Sequence, residues 1–342
     1  MQNPTQMAAE SREAPDIVRR QAENLTHPIA ELIATLKRRP PQLVVTCARG
    51  SSAHAATFGK HLIERHLGIP VSAAAPNIAT VYRQRLHLKE QMFLAVSQAG
   101  RSDDIIESLV LAREAGALTV ALVNDTGSPL AKASDIVLPM MAGAELSVAA
   151  TKSFVASLAA LLRFTAMWTD DRAIRQGLGR LPARLAAAAD LDWTAALPAF
   201  AAATNLTSIG RGPTLAVARE AALKLKETCG IHAEAFSGAE FQHGPIALVE
   251  RDYPVIVFVP TDAAAAGLET LAPALIGKGA KVFATGSDCD AASALQTLEA
   301  DQPDADAICL VQTFYGLVIQ VAQSRGNDVD RPPHLQKVTR TR

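Results

Sequence analysis

Landmarks in this 342-residue chain recur 162 residues apart. Arg49-Gly50 returns as Arg211-Gly212, and Gly68-Ile69 returns as Gly230-Ile231. The apolar stretch beginning near Phe93 meets another at Val255, at the same offset. A repeat of this period, kept in order, points to two copies of one domain. The competing account is coincidence between two ordinary α/β units; shared order and spacing favour duplication. At about 100–200 residues per domain, the length also admits two.

Within each copy, short apolar runs alternate with Ala/Leu-rich stretches of helical length. Residues 43–47, 92–96, 118–123 and 136–139 read as buried strands, with helices at 53–67, 103–115 and 151–168. In the second half, 206–210, 253–259, 280–284 and 307–311 read as strands, and 214–229 as a helix. Strand–helix alternation predicts parallel sheets covered on both faces. Residues 1–40 are expected to form helices that pack on the body, and 170–192, with Gly177, Gly179 and Pro182, to link the copies.

The bulk numbers exclude several classes. Hydrophobic residues at 49% and charged residues at 20% describe a globular chain. A net charge of −1 gives no bulk attraction to nucleic acid or to a membrane surface, so an anionic ligand needs a local site. No apolar run reaches about 18 residues, and the charged start through Arg20 does not read as a signal peptide. Cys47, Cys229, Cys289 and Cys309 are scattered, which argues for a reducing compartment, expected to be the cytoplasm, and against structural zinc.

Four segments carry chemistry. Arg49-Gly50-Ser51-Ser52 lies at a strand-to-helix junction, where free N–H groups, hydroxyls and a glycine suit a phosphate monoester, although a plain serine N-cap reads the same way. Ser97-Gln98-Ala99-Gly100-Arg101-Ser102 repeats that setting ahead of Asp103 and Asp104. Loops at the carboxyl ends of neighbouring strands converge where open α/β sheets bind ligands. The Gly-x-Gly-x-x-Gly of a dinucleotide site is absent from both loops, and Gly210-Arg211-Gly212 lacks its third glycine. Glu220, Lys224 and Glu227 share one helix face, which alone is the pattern of a solvated stripe. His232 and His243 follow closely, His232 being the one more easily explained by packing. A carboxylate can move a proton between adjacent sugar carbons, and a histidine can open a hemiacetal ring. The polar tail 328–337 ends in Lys337: such tails are commonly disordered, but a lysine beside a sugar carbonyl can form a Schiff base or assist ring opening.

Taken together, residues 47–55, 97–103, 145–154, 220–227, 232–243 and 328–337 resemble the SIS (sugar isomerase) domain family, in particular the isomerase half of the glutamine-dependent fructose-6-phosphate transaminases. The resemblance runs from about residue 41 to the end. It implies an α/β fold of two tandem SIS domains, each a flavodoxin-like parallel sheet flanked by helices, at 41–185 and 193–327. A helical segment at 1–40 precedes them, and the tail 328–342 belongs to the active site. Ser52, Ser97, Gln98 and Ser102 would hold the phosphate, with Gly50 and Ser51 close by. Val148 and its neighbours, Ala150 included, would line the sugar hydroxyls. Glu227 would move a proton between C1 and C2, and His243 would open the ring, often from the partner subunit, which implies a homodimer with shared sites. Lys337 would sit beside the carbonyl, with Glu220 and Lys224 in support. The chemistry calls for no metal and no other cofactor, and its partner is a small sugar phosphate.

The chain departs from the family pattern in three places. The phosphate loop usually reads Ser-Gln-Ser-Gly-Glu-Thr; here Ala99 replaces the middle serine and Arg101-Ser102 replaces Glu-Thr. Arg101 is expected to restore some charge. Ala150 stands where a serine is expected, which leaves the sugar's identity open. Gln2 occupies the position of a glutaminase nucleophile, and only about 40 residues precede the first strand, so the chain is expected not to draw ammonia from glutamine. Mass action then favours isomerisation of an amino-sugar phosphate with loss of ammonia, as in glucosamine-6-phosphate deaminases. Galactosamine-6-phosphate deamination and fructosamine-6-phosphate deglycation are alternatives, as is a non-catalytic sugar-phosphate sensor.

Overall fold

The computed structural model describes residues 5–286 and 293–337. Three helices come first: α1 (Gln6–Ser11), α2 (Ala14–Asn24) and α3 (Thr26–Arg38). The first copy then runs β1 (Val44–Cys47), α4 (Gly50–Leu67), β2 (Val71–Ala73), α5 (Pro76–Thr80), β3 (Met92–Ser97), α6 (Asp103–Glu114), β4 (Leu118–Val123), α7 (Pro129–Ala133), β5 (Ile136–Pro139), α8 (Lys152–Thr169) and α9 (Arg172–Ala188). The second runs α10 (Leu197–Ala202), β6 (Asn205–Gly210), α11 (Thr214–Cys229), β7 (His232–Ser237), α12 (Gly238–Gln242), β8 (Pro254–Phe258), α13 (Ala266–Gly277), β9 (Lys281–Thr285), β10 (Ser293–Leu295) and α14 (Pro303–Ser324).

All pairings within the two five-stranded sheets are parallel. The first sheet has the order β2-β1-β3-β4-β5, and the second, from its matching edge, β7-β6-β8-β9-β10. Numbered within its own copy, each sheet reads 2-1-3-4-5, the flavodoxin-like order. The duplication is therefore one of topology as well as of sequence. The 162-residue offset carries β1 to β4 onto β6 to β9 and Gly68 onto Gly230. Both glycines take the left-handed conformation, φ 67° and 64°, that terminates α4 and α11. All residues of β1, β3 and β8 are buried, as expected of strands covered on both faces.

The described residues fall into two units, neither of them a single stretch of chain. One contains residues 16–145, 152–178 and the tail from 336; it holds the first sheet, around a core that includes Val45, Phe93, Leu109, Ala121 and Leu130. The other contains residues up to 15, 146–151 and 179–335; it holds the second sheet, with Ile209, Phe241, Val257, Leu268 and Ala284 in its core.

Two sequence readings need correction. Residues 307–311 are not a strand: they lie in the 22-residue helix α14, buried almost throughout. An apolar run cannot by itself distinguish a buried strand from a buried helix, and here the run simply continues for a helix's length. The expected linker at 170–192 is mostly α9, where Ile174, Leu178, Leu181, Leu185 and Ala188 recur at helical spacing and are buried. Cys47, Cys229 and Cys309 are buried free thiols, pushed up by burial to about 12, 11 and 12. They stay protonated and unreactive at neutral pH. Cys289 lies outside the described residues.

Candidate active site

In the first-sheet unit, the loops after β1 and β3 flank the point where the strand order reverses. These two strands pair directly, Cys47 opposite Ala95, and a reversal of this kind is where open α/β sheets bind ligands. Helix α4 begins at Gly50 rather than at 53, so Gly50 (φ +53°), Ser51 and Ser52 form its first turn. Their N–H groups belong to the set an α-helix leaves without intrahelical partners. On the second loop, Ser97 Oγ accepts a hydrogen bond from Gly100 N at 3.1 Å. Asn124 N donates to Gln98 O at 3.2 Å, and Ser102 is the N-cap of α6 but makes no side-chain capping bond. Arg49 joins the loops: its Nε and a terminal nitrogen donate to Oδ2 of buried Asp104, at 3.0 and 2.7 Å. The expected phosphate residues Gly50, Ser51, Ser52, Ser97, Gln98 and Ser102 thus lie on two loops tied to each other. Arg101 does not add free charge to them, because its guanidinium pairs with Asp125 at 2.8 Å.

Gly100 is fixed by its surroundings. At φ +63°, a Cβ there would lie 2.2 Å from Ser128 Oγ. Gly100→Ala is expected to lower the stability of this unit by about 1–3 kcal/mol, read from denaturant unfolding. An unchanged midpoint would mean that the loop relaxes freely.

The same unit contains Glu145 and Lys337. Glu145 is buried and accepts from Ser153 N at 3.1 Å and Ser153 Oγ at 2.5 Å. Lys337 Nζ lies 3.3 Å from its Oε2, so the tail lysine is seated rather than trailing. Glu145 stood within a recognised stretch, but its spacing gave no hint of a lysine 192 positions away.

In the second-sheet unit, Glu220, Lys224 and Glu227 are not a solvated stripe. Lys224 is 1% exposed and lies 3.3 Å from Glu220 and 2.6 Å from Glu227. Burial would lower the pKa of Lys224, but the two carboxylates outweigh it and raise the value above that of an ordinary lysine. Glu220 is fully buried, whereas Glu227 lines a cavity of about 670 Å³ with Lys226, Gly230, Asn327 and His334. The helix thus presents one carboxylate to a ligand-sized space and backs it with a buried cation.

The two histidines lie elsewhere. His232 opens β7, exposed, with its N–H on Thr204 O at 2.9 Å. His243 caps α12, is exposed, and is not among the described residues lining the Glu227 cavity. Val148 donates to Asp330 O at 3.1 Å, and half-buried Ala150 precedes α8.

Similarity to known proteins follows the same division. SIS domains match residues 40–167 and 199–298. The glutamine–fructose-6-phosphate aminotransferase (isomerizing) of Shewanella oneidensis is 33% identical over 319 residues, covering 86% of this chain and 50% of that protein. The Symbiobacterium thermophilum enzyme of the same name is 34% identical over 317 residues, covering 86% and 51%. The chain spans about half the length of the curated relatives it matches. Among solved structures, a Silicibacter pomeroyi protein provisionally assigned as a phosphosugar isomerase is 44% identical, with TM-score 0.91, over 95% of this chain and 100% of that one. The C-terminal domain of the Francisella tularensis glucosamine-fructose-6-phosphate aminotransferase is 26% identical, with TM-score 0.87, over 96% and 99%. With both copies matched and both sheets in the 2-1-3-4-5 order, the chain belongs to the SIS-domain family.

Proposed function

We propose that the chain isomerises and deaminates an amino-sugar phosphate, with glucosamine-6-phosphate the favoured substrate and fructose-6-phosphate and ammonia the products. The observation that carries this reading is the Glu220–Lys224–Glu227 arrangement: a buried ammonium held between two carboxylates, only one of which lines a cavity. That is a positioned proton carrier.

The hydroxyls and N–H groups of the Ser51-Ser52 and Ser97–Ser102 loops hold the phosphate. Val148 and Ala150 face the sugar hydroxyls. His243, from a second copy of the chain, opens the ring, which makes the working unit a homodimer. Glu227 removes the proton from C2 of the open-chain aldose and returns it to C1, leaving a C2 imine. Water adds to C2, the C–N bond breaks, and ammonia departs. Lys337, held in place by Glu145, sits beside the carbonyl oxygen. Ammonia that escapes into bulk solvent draws the reaction toward the ketose.

The test is to measure ammonia together with the sugar phosphate released, a ketose phosphate from glucosamine-6-phosphate or galactosamine-6-phosphate and an aldose phosphate from fructosamine-6-phosphate, with the three run in parallel. Both products from the first sugar support the reading. Products from only one of the others would move the substrate, which the alanines at 99 and 150 permit. Tight binding without turnover of any would make the chain a sensor.

A further inference from the structure

The loop that follows Glu145 is held by groups far away in sequence, all within the second-sheet unit. Glu10, on α1, is fully buried. Its Oε1 accepts from Leu146 N, and its Oε2 accepts from Ser147 N at 3.2 Å and Ser147 Oγ at 2.7 Å. The next residue, Val148, donates to Asp330 O at 3.1 Å. The Asp330 carboxylate in turn accepts from Gln6 N at 2.8 Å and Met7 N at 2.7 Å. Helix α1, the loop and the tail thus close a ring of hydrogen bonds.

A plainer role for Glu10 would be to anchor α1. Apolar contact does that without burying a charge, and Met7, on the same helix, is fully buried. An isolated buried carboxylate costs several kcal/mol unless its oxygens are satisfied. Burial pushes the Glu10 carboxyl up, but hydrogen bonds from Leu146, Ser147 and Gln6 prevail and hold it below its ordinary range. It is therefore an anion at neutral pH. Bonds to two successive N–H groups fix two peptide planes, which a helix anchor does not require.

We propose that Glu10 is a positioning residue for sugar recognition: it sets the peptide planes of 146–147, so that Val148 and Ala150 present one fixed surface to the sugar hydroxyls. The proposal rests on the function inferred above. Glutamine at this position keeps the shape of Glu10 but turns an NH2 toward loop donors.

The experiment measures calorimetric Kd values of glucosamine-6-phosphate and of inorganic phosphate for wild type, Glu10→Gln and Ser147→Ala. In Glu10→Gln the sugar phosphate is expected to bind about tenfold more weakly, with phosphate unchanged because its loops belong to the first-sheet unit. Ser147→Ala, which deletes a single loop hydroxyl, should shift the same ratio by roughly threefold and keeps the test decisive if Glu10→Gln does not fold. A ratio unchanged in the folded variants, or both ligands weakening together, overturns the positioning role while leaving the function intact. Failure of wild type to bind the sugar phosphate overturns the function, and the positioning role with it.

Discussion

Glu227→Gln is expected to reduce kcat for amino-sugar phosphate turnover by about 10²- to 10⁴-fold, the usual contribution of a positioned general base. Sugar-phosphate Kd should change little. Glutamine matches the carboxylate in size, and its oxygen can still accept from Lys224 Nζ, now 2.6 Å from Glu227. Loss of turnover with retained binding isolates proton transfer from substrate capture. The assay is ammonia release under saturation, paired with calorimetry on the same preparation. Near-normal kcat in this variant would remove Glu227 from the reaction.

Lys224→Met should produce the largest change in stability. It leaves Glu220, which is fully buried, beside Glu227 with the shared cation gone. Breaking a buried pair by deleting one partner costs about 3–5 kcal/mol. The chain has two tryptophans, and Trp193 lies in the second-sheet unit. A Trp168→Phe background therefore makes Trp193 fluorescence report on that unit during urea unfolding. Adding Glu220→Gln to Lys224→Met should recover part of the loss, with a coupling of about 0.5–3 kcal/mol. Strict additivity would mean that the 3.3 Å approach contributes nothing.

The sequence disclosed the duplicated scaffold because buried strands leave predominantly apolar runs, as in 92–96 and 118–123. Strands without such runs stayed hidden. β2 has three residues, two of them exposed, and β7 reads His-Ala-Glu-Ala-Phe-Ser, with only Ala233 fully buried. Helix α14 was hidden for the opposite reason, since it is apolar on nearly every face and lacks the contrast that marks a helix. For the triad, spacing placed Glu220, Lys224 and Glu227 on one face but could not say whether that face meets water or the core. Burial decides that, and burial depends on what packs over the helix. Arg49–Asp104, Glu145–Lys337 and Glu10–Ser147 are joined only by folding, across 55, 192 and 137 positions. No local pattern announces such pairs.

The contact between Gln6 and Asp330 spans 324 positions. At about 5–20 residues per second, a ribosome takes roughly 15–65 s to make the intervening chain. Throughout that interval α1, too short to persist alone in water, has no Asp330 to hold its first turn. The earliest of the described helices is thus among the last to dock, and nascent chains stalled before position 330 should leave it open to proteases long after the first sheet has formed.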